Sequence, residues 1–379
     1  MRVWLLLVSL LFSCFCFSQV PESGVKAPVR IMVRPGLPLI EHRGPVQFLN
    51  FDFVLENTGA KPLHLNRINI SVWDKSGKLI LRRELDENGH PSGMSTIEQR
   101  DVAASGRMGI FNPFYAFGPE IKPAKMTYSF YFNDPGYQTA TPLDYQYFAE
   151  VDVVLQDYVD KTVLSLPIHQ RSIIFDGHDF YAHHRRQDPA SPDVIRLGLK
   201  ANPVRYAYDF CPVNDKGDMY KDSPYKKENW YGYGAPIYAD ANGTVAGAAN
   251  DTPENDFKGK EVAYADIPES EIYKIMGGNY VVIDHGNGEF SYFGHMKTGS
   301  LRVKIGDKVS AGQQIGELGF AGDAFIPHLH YMLMDNADVL KAESLPSYFV
   351  NFRRILGSEM EDVTRGEVDS GDIVEPGKK

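Results

Sequence analysis

Between about Ala27 and Phe175 the chain alternates short runs of β-type residues with turn signals. The runs are VRIMV, VQFLNFDFVLEN, HLNRINISVWD, YSFYF and FAEVDVVLQDY, punctuated by Asn57-Thr58-Gly59 and Asp74-Lys75-Ser76-Gly77. In NFDFVLEN and NRINISVW apolar residues recur at every second position, the period of a strand with one face on a core. A second β-rich stretch runs from Val194 to about Phe352. Between the two lies the polar segment DGHDFYAHHRRQDPASPD, residues 176–193, which closes on two prolines and reads as a linker. The last residues, 353–379, hold few large apolar side chains and are expected to form a mobile acidic tail. No long amphipathic helix and no internal repeat is visible.

The pattern predicts an all-β protein, with an immunoglobulin-like β-sandwich over residues 25–175 followed by a second β domain over residues 194–352. A length of 379 residues suits two domains, and 34 Gly and 24 Pro spread along the chain favour many turns over long helices. The net charge of -10 argues against a phosphate-tracking surface, so nucleic acid is not an expected partner. Residues 1–18 start with Arg2, continue through a run from Val3 to Phe17 broken only by Ser9 and Ser13, and end on small residues. This is the grammar of a secretory signal cut after Ser18, with export to a periplasm or the exterior and no membrane span thereafter. The run is shorter than the roughly 20 residues a spanning helix needs. Cleavage leaves Cys211 as the one cysteine, which excludes an intramolecular disulfide and makes that thiol either buried or metal-bound.

Chemistry concentrates in the second half. Pro327-His328-Leu329-His330-Tyr331 reads as a strand that puts His328 and His330 on one face, where they can share a metal or divide metal binding and water activation. Upstream stand Gly234 to Val245, then GNYVVIDHGNG from Gly278 with its hairpin turn at His285, Gly294-His295-Met296, and VKIGDKVSAGQQIG from Val303. His42, His64 and His90 are scattered and read as surface residues, and His285 as a turn residue. The connections 215–233, rich in Tyr and carrying Trp230, and 250–277 read equally as groove walls or as cover for an open sheet.

In this order the blocks resemble the lysostaphin-like family of peptidoglycan endopeptidases over about residues 200–335. The resemblance implies a small antiparallel sheet carrying one Zn2+, with Asp209 and His330 as metal ligands and His295 and His328 as catalytic histidines. It implies metal-assisted hydrolysis of peptide bonds in peptidoglycan. It also exposes a gap, because four residues before Asp209 the family has a histidine ligand and this chain has Arg205, a cation with no lone pair to offer. Three explanations stand open: Arg205 pairs with Asp209 and leaves a folded, inactive site; Cys211 supplies a thiolate ligand; or His178, His183 or His184 enters from the linker. Two function classes follow, an exported zinc metalloendopeptidase or a degenerate module that binds cell wall or activates another hydrolase. The N-terminal sandwich could meet a partner protein.

Overall fold

The computed structural model describes residues 24–141, 143–196, 198–199, 201–257 and 276–377. The expected signal segment, residues 1–18, and most of the connection 250–277 lie outside the described residues. The protein is mostly β, and among the described residues no helix is long and apolar enough to cross a membrane.

In the N-terminal unit, strand Leu63–Trp73 lies between Lys125–Asn133 and Leu79–Leu85, both antiparallel to it, and Tyr147–Val154 extends the sheet beyond Lys125–Asn133. A three-stranded sheet of Val29–Arg34, Asp52–Asn57 and Arg107–Phe111 packs near it. Period-two alternation explains the packing: Phe51, Phe53 and Leu55 turn inward and meet Ile68, Ile70, Tyr128 and Phe130 in one buried core. The Phe53 ring centroid stands 4.7 Å from that of Tyr128 and 5.1 Å from that of Phe130, in the tilted and edge-on geometries aromatic quadrupoles favour. The same alternation sends Asn50 and Asp52 to the opposite face, where both are nevertheless buried.

The C-terminal unit is built on one long sheet. Its strands run in the order Lys308–Val309, Gly243–Ala249, Asn279–Asp284, Phe290–Met296, Leu329–Met334, Tyr208–Pro212, Ser172–Asp176, Ile373–Pro376, Phe349–Leu356, Glu359–Gly366. Leu329, Tyr331 and Leu333 face the larger core, while Met332 and Met334 face a second, smaller apolar layer with Tyr292 and Val282.

Three segments depart from the sequence expectation. Strand Ser172–Asp176, assigned to the sandwich, pairs with Tyr208–Pro212 and buries Ile174 in the C-terminal core. The segment expected to be a linker is packed between the two units, with His178, His184 and Arg185 all buried. Its polar side chains find partners inside the protein, which its composition could not reveal. The expected mobile tail forms strands through Pro376: Val368 and Val374 are buried, and Arg354 reaches both Glu361 and Asp372 at 2.9 Å.

Glu41 is part of what joins the units. Its carboxylate is fully buried, with Arg43 Nε at 3.0 Å and His178 Nε2 at 2.8 Å, and Arg43 also pairs with Asp369. Burial alone would raise this carboxyl, but the charges of Arg43 and His178 and their hydrogen bonds hold it down at about 2, from an ordinary 4.5. The unfolded chain therefore binds the proton at higher pH than the folded one. The contribution, on the order of 3 kcal/mol, is complete above the unfolded value and is lost as pH falls toward the folded one. Melting temperature is expected to drop between about pH 5 and about pH 2.5, and to drop less steeply in Glu41→Gln. Identical pH slopes for the two proteins would contradict this account.

Candidate functional site

The register of the long sheet assembles the site. Strand Tyr208–Pro212 pairs with Leu329–Met334 so that Asp209 stands opposite His330, and on its other side His330 stands opposite Gly294, one residue before His295. Because Tyr208 and Phe210 go to the larger core, Asp209 is thrown to the other face, the face that His330 occupies. His295, next to last in its strand, has φ of 58°, a left-handed conformation uncommon for a residue with a side chain and concentrated at functional sites. Gly278 makes room for this: a Cβ there would lie 2.4 Å from the Ala321 carbonyl carbon, so only glycine lets the Ala321 backbone approach. The Ala321 carbonyl in turn accepts from His295 Nδ1 at 2.8 Å.

Asp209 is the hub. Its Oδ1 lies 3.1 Å from His330 Nδ1, 3.3 Å from His328 Nε2 and 3.5 Å from His184 Nε2. His328 Nδ1 is bonded to the Ile326 carbonyl at 2.8 Å, and His184 Nδ1 lies 3.2 Å from both the Gly177 carbonyl and Asp176 Oδ2. A backbone carbonyl can only accept, so the proton sits on Nδ1 in each of these rings and Nε2 is left for the site. Two groups of ligand atoms result, His295, His328 and His330 in one and Asp176, His183, His184 and Asp209 in the other, each with its atoms within 4.8 Å of one another. The contacts of Asp209 join them.

The electrostatics suit a cation. Burial pushes the Asp209 carboxyl up, but the charges of His328 and His184 and the hydrogen bonds of His328 and His330 more than reverse this and hold it well below the usual carboxylate range. Burial lowers His184 to about 3 despite the pull of Asp209, and burial with the neighbouring His328 and His330 holds His295 well below its ordinary value. For His328 the carboxylate of Asp209 outweighs burial and the value rises. A cavity of about 290 Å³ opens over these groups, walled on its apolar side by Tyr292, Phe325 and Met332.

The structure thus brings together Asp209, His295, His328 and His330 and leaves two expected participants elsewhere. Cys211 is buried and its thiol, pushed up by burial, belongs to neither ligand group. Arg205 does not pair with Asp209 but with Asp52 and Glu343. His178 faces Glu41, whereas His184 reaches the site and His183 pairs with Asp176 at its edge. His285 is bonded to the Asn242 carbonyl and Ser291 Oγ, away from the cavity. The rings of Trp230, Phe257 and Phe320 pack on one another, and none of them lines the cavity. Tyr292 went unnoticed in the sequence, although alternation along FSYFGHM from Gly294 places it on the site face.

The donor set fits zinc. Tetrahedral Zn2+ at 2.0 to 2.2 Å from nitrogen and oxygen donors requires donors roughly 3.3 to 3.6 Å apart, and Asp209 meets His330 and His184 close to that spacing. Ligands must also be deprotonated, a state that the lowered values of Asp209 and His184 favour.

The profile of Peptidase family M23 matches residues 231–342, which include His295, His328 and His330 and leave Asp209 and His184 outside. Over 57 residues the chain is 49% identical to Peptidoglycan DD-endopeptidase ShyA of Vibrio cholerae serotype O1, covering 15% of this chain and 13% of that protein. Over 70 residues it is 39% identical to Peptidoglycan DD-endopeptidase ShyC of the same organism, covering 18% and 16%. The chain thus spans less than a fifth of the length of these relatives. Among solved structures, the catalytic domain of lysostaphin from Staphylococcus simulans is 24% identical, with 34% of this chain and 86% of that one covered and a TM-score of 0.22. Across its histidine-bearing strands, residues 231–342, the chain thus matches Peptidase family M23.

Proposed function

We propose that the protein is an exported zinc metalloendopeptidase that hydrolyses peptide bonds in bacterial peptidoglycan. The observation that carries this reading is the pair His295 and His328 lining the cavity, each with Nδ1 bonded to a backbone carbonyl, and the Nε2 of His328 held 3.3 Å from Asp209. The matched relatives act on peptidoglycan by their names, which supports the substrate class. The signal grammar of residues 1–18 supports export.

Asp209 and His330 would hold the metal. When bound, a zinc ion supplies Lewis-acid polarisation of the scissile carbonyl and acidification of a water. The protein supplies the rest. His295 and His328, locked in one tautomer, can orient the attacking water, hydrogen-bond to the developing oxyanion and carry a proton to the leaving amine. Tyr292, Phe325 and Met332 offer an apolar wall against the peptide and keep bulk water from the reacting groups. The N-terminal unit, read as an immunoglobulin-like sandwich, packs against residues 176–191 and so supports the side of the site that they form.

Zinc-loaded protein incubated with purified cell-wall sacculi is expected to release soluble muropeptides, quantified by mass spectrometry, and His328→Ala to release them about 10²-fold more slowly or worse. Equal release by both would overturn the peptidase assignment. Wild-type protein that binds sacculi and zinc but releases nothing would establish the degenerate binding module instead. His295→Asn tests the second histidine, since asparagine tolerates the left-handed backbone. Its melting temperature should stay within a few degrees of wild type while turnover falls by about 10²-fold to 10⁴-fold. Retained turnover would remove His295 from the chemistry.

A further inference from the structure

Arg205, at the position where the family resemblance calls for a histidine ligand, is buried and committed elsewhere: one end of its guanidinium meets Asp52 and its Nε donates to Glu343 at 2.5 Å. The place beside Asp209 that it does not fill is faced by His184. That ring is 3% exposed, its Nδ1 is bonded to the Gly177 carbonyl with Asp176 nearby, and its Nε2 points at the Asp209 oxygen that His330 also approaches. A ring nitrogen carrying a lone pair and a carboxylate oxygen, 3.5 Å apart, are two acceptors with no proton between them, an arrangement that a shared cation satisfies. Donation from Nδ1 to a carbonyl or carboxylate is also the outer-shell bond that metal-binding histidines make.

What puts His184 there is its neighbour. Arg185 is fully buried and spends its fork on the N-terminal unit: Nη1 to Asp52 Oδ1 at 2.6 Å, Nη2 to the Phe51 carbonyl at 2.9 Å and Nε to Asn50 Oδ1 at 3.2 Å. The other oxygen of Asp52 takes Arg205, and Glu343, at the far end of Arg205, accepts from the Asn202 backbone at 3.1 Å. The Asn202 side chain reaches back to the His184 carbonyl at 3.5 Å. The carboxylate of Asp52 therefore binds both the arginine beside the histidine and the arginine in the family's ligand position.

We propose that His184 is the third protein ligand of the metal site and that Asp52 of the N-terminal unit positions it through Arg185, so that the metal centre is shared between the two units. The proposal rests on Asp209 and His330 as metal ligands. It is tested on the full chain by zinc affinity in competition with a chelator and by the absorption of the cobalt(II)-loaded protein, with the metal-free melting temperature as the check on folding. Wild type should bind one zinc and show the intense cobalt absorption of a four-coordinate site. His184→Ala should lose that absorption and bind zinc more than about 100-fold more weakly, a larger loss than outer-shell changes cause. Arg185→Gln leaves Asp52 paired with Arg205 and should weaken zinc binding by about 10-fold to 100-fold. Arg185→Lys takes its place if that variant does not fold. Zinc affinity unchanged in His184→Ala overturns the ligand, and a loss confined to Cys211→Ser would assign the thiol instead. Affinity unchanged in a folded Arg185 variant overturns the positioning role. Wild-type protein that takes up no zinc would overturn the underlying metal reading as well, an outcome distinct from any of these.

Discussion

The arrangement of this molecule depends on one carboxylate, that of Asp52, buried between the guanidinium groups of Arg185 and Arg205. Charges so far from water persist only when every one is paired and hydrogen-bonded, and such pairs contribute geometry more than net stability. Two apolar faces could slide past each other at little cost. Two forked cations on one carboxylate cannot, because each bond has a direction. The burial of Arg185 and with it the place of its neighbour His184 follow from satisfying this set, while the Glu41, Arg43 and His178 cluster ties the units at a second point.

Histidine serves different ends here according to what its second nitrogen meets. In His295 and His328 a backbone carbonyl takes Nδ1 and turns Nε2 toward the site, where that of His328 meets Asp209. In His285 both nitrogens are taken, by the Asn242 carbonyl and by Ser291 Oγ, beside a buried pair in which Tyr331 and Ser291 donate to Asp240. That ring has no nitrogen left for a substrate. Its place inside a familiar motif reflects the closing of a hairpin, and the turn reading given by its sequence context agrees with its bonds.

The parts of the fold readable in the sequence were those governed by local period. Alternation along Leu329–Met334 and the two residues before it announces two faces, and with them the pairing of His328 and His330. The approach of Asp209 to His330 could be inferred only from the order of motifs, because strand register is set between segments far apart in the chain. His184 could be named only as one of several alternatives. Its location depends on contacts among residues 52, 185, 205 and 343, and no local pattern encodes a meeting of four such positions. The C-terminal residues were misread for a related reason. Their strands are held by arginine pairs and by two valines, and a count of large apolar side chains passes over both.

Those last strands have a further consequence. Among the described residues Glu359–Gly366 pairs on one side only, with Phe349–Leu356, and so closes one end of the long sheet as an edge strand. A smooth apolar strand in that place would invite a second chain to add to the sheet. This one carries Glu359, Glu361, Asp362 and Arg365, all exposed, around the exposed Met360. The acidity that made the segment look like a tail works as a fence: it lets the long sheet end in water without becoming a template for fibres.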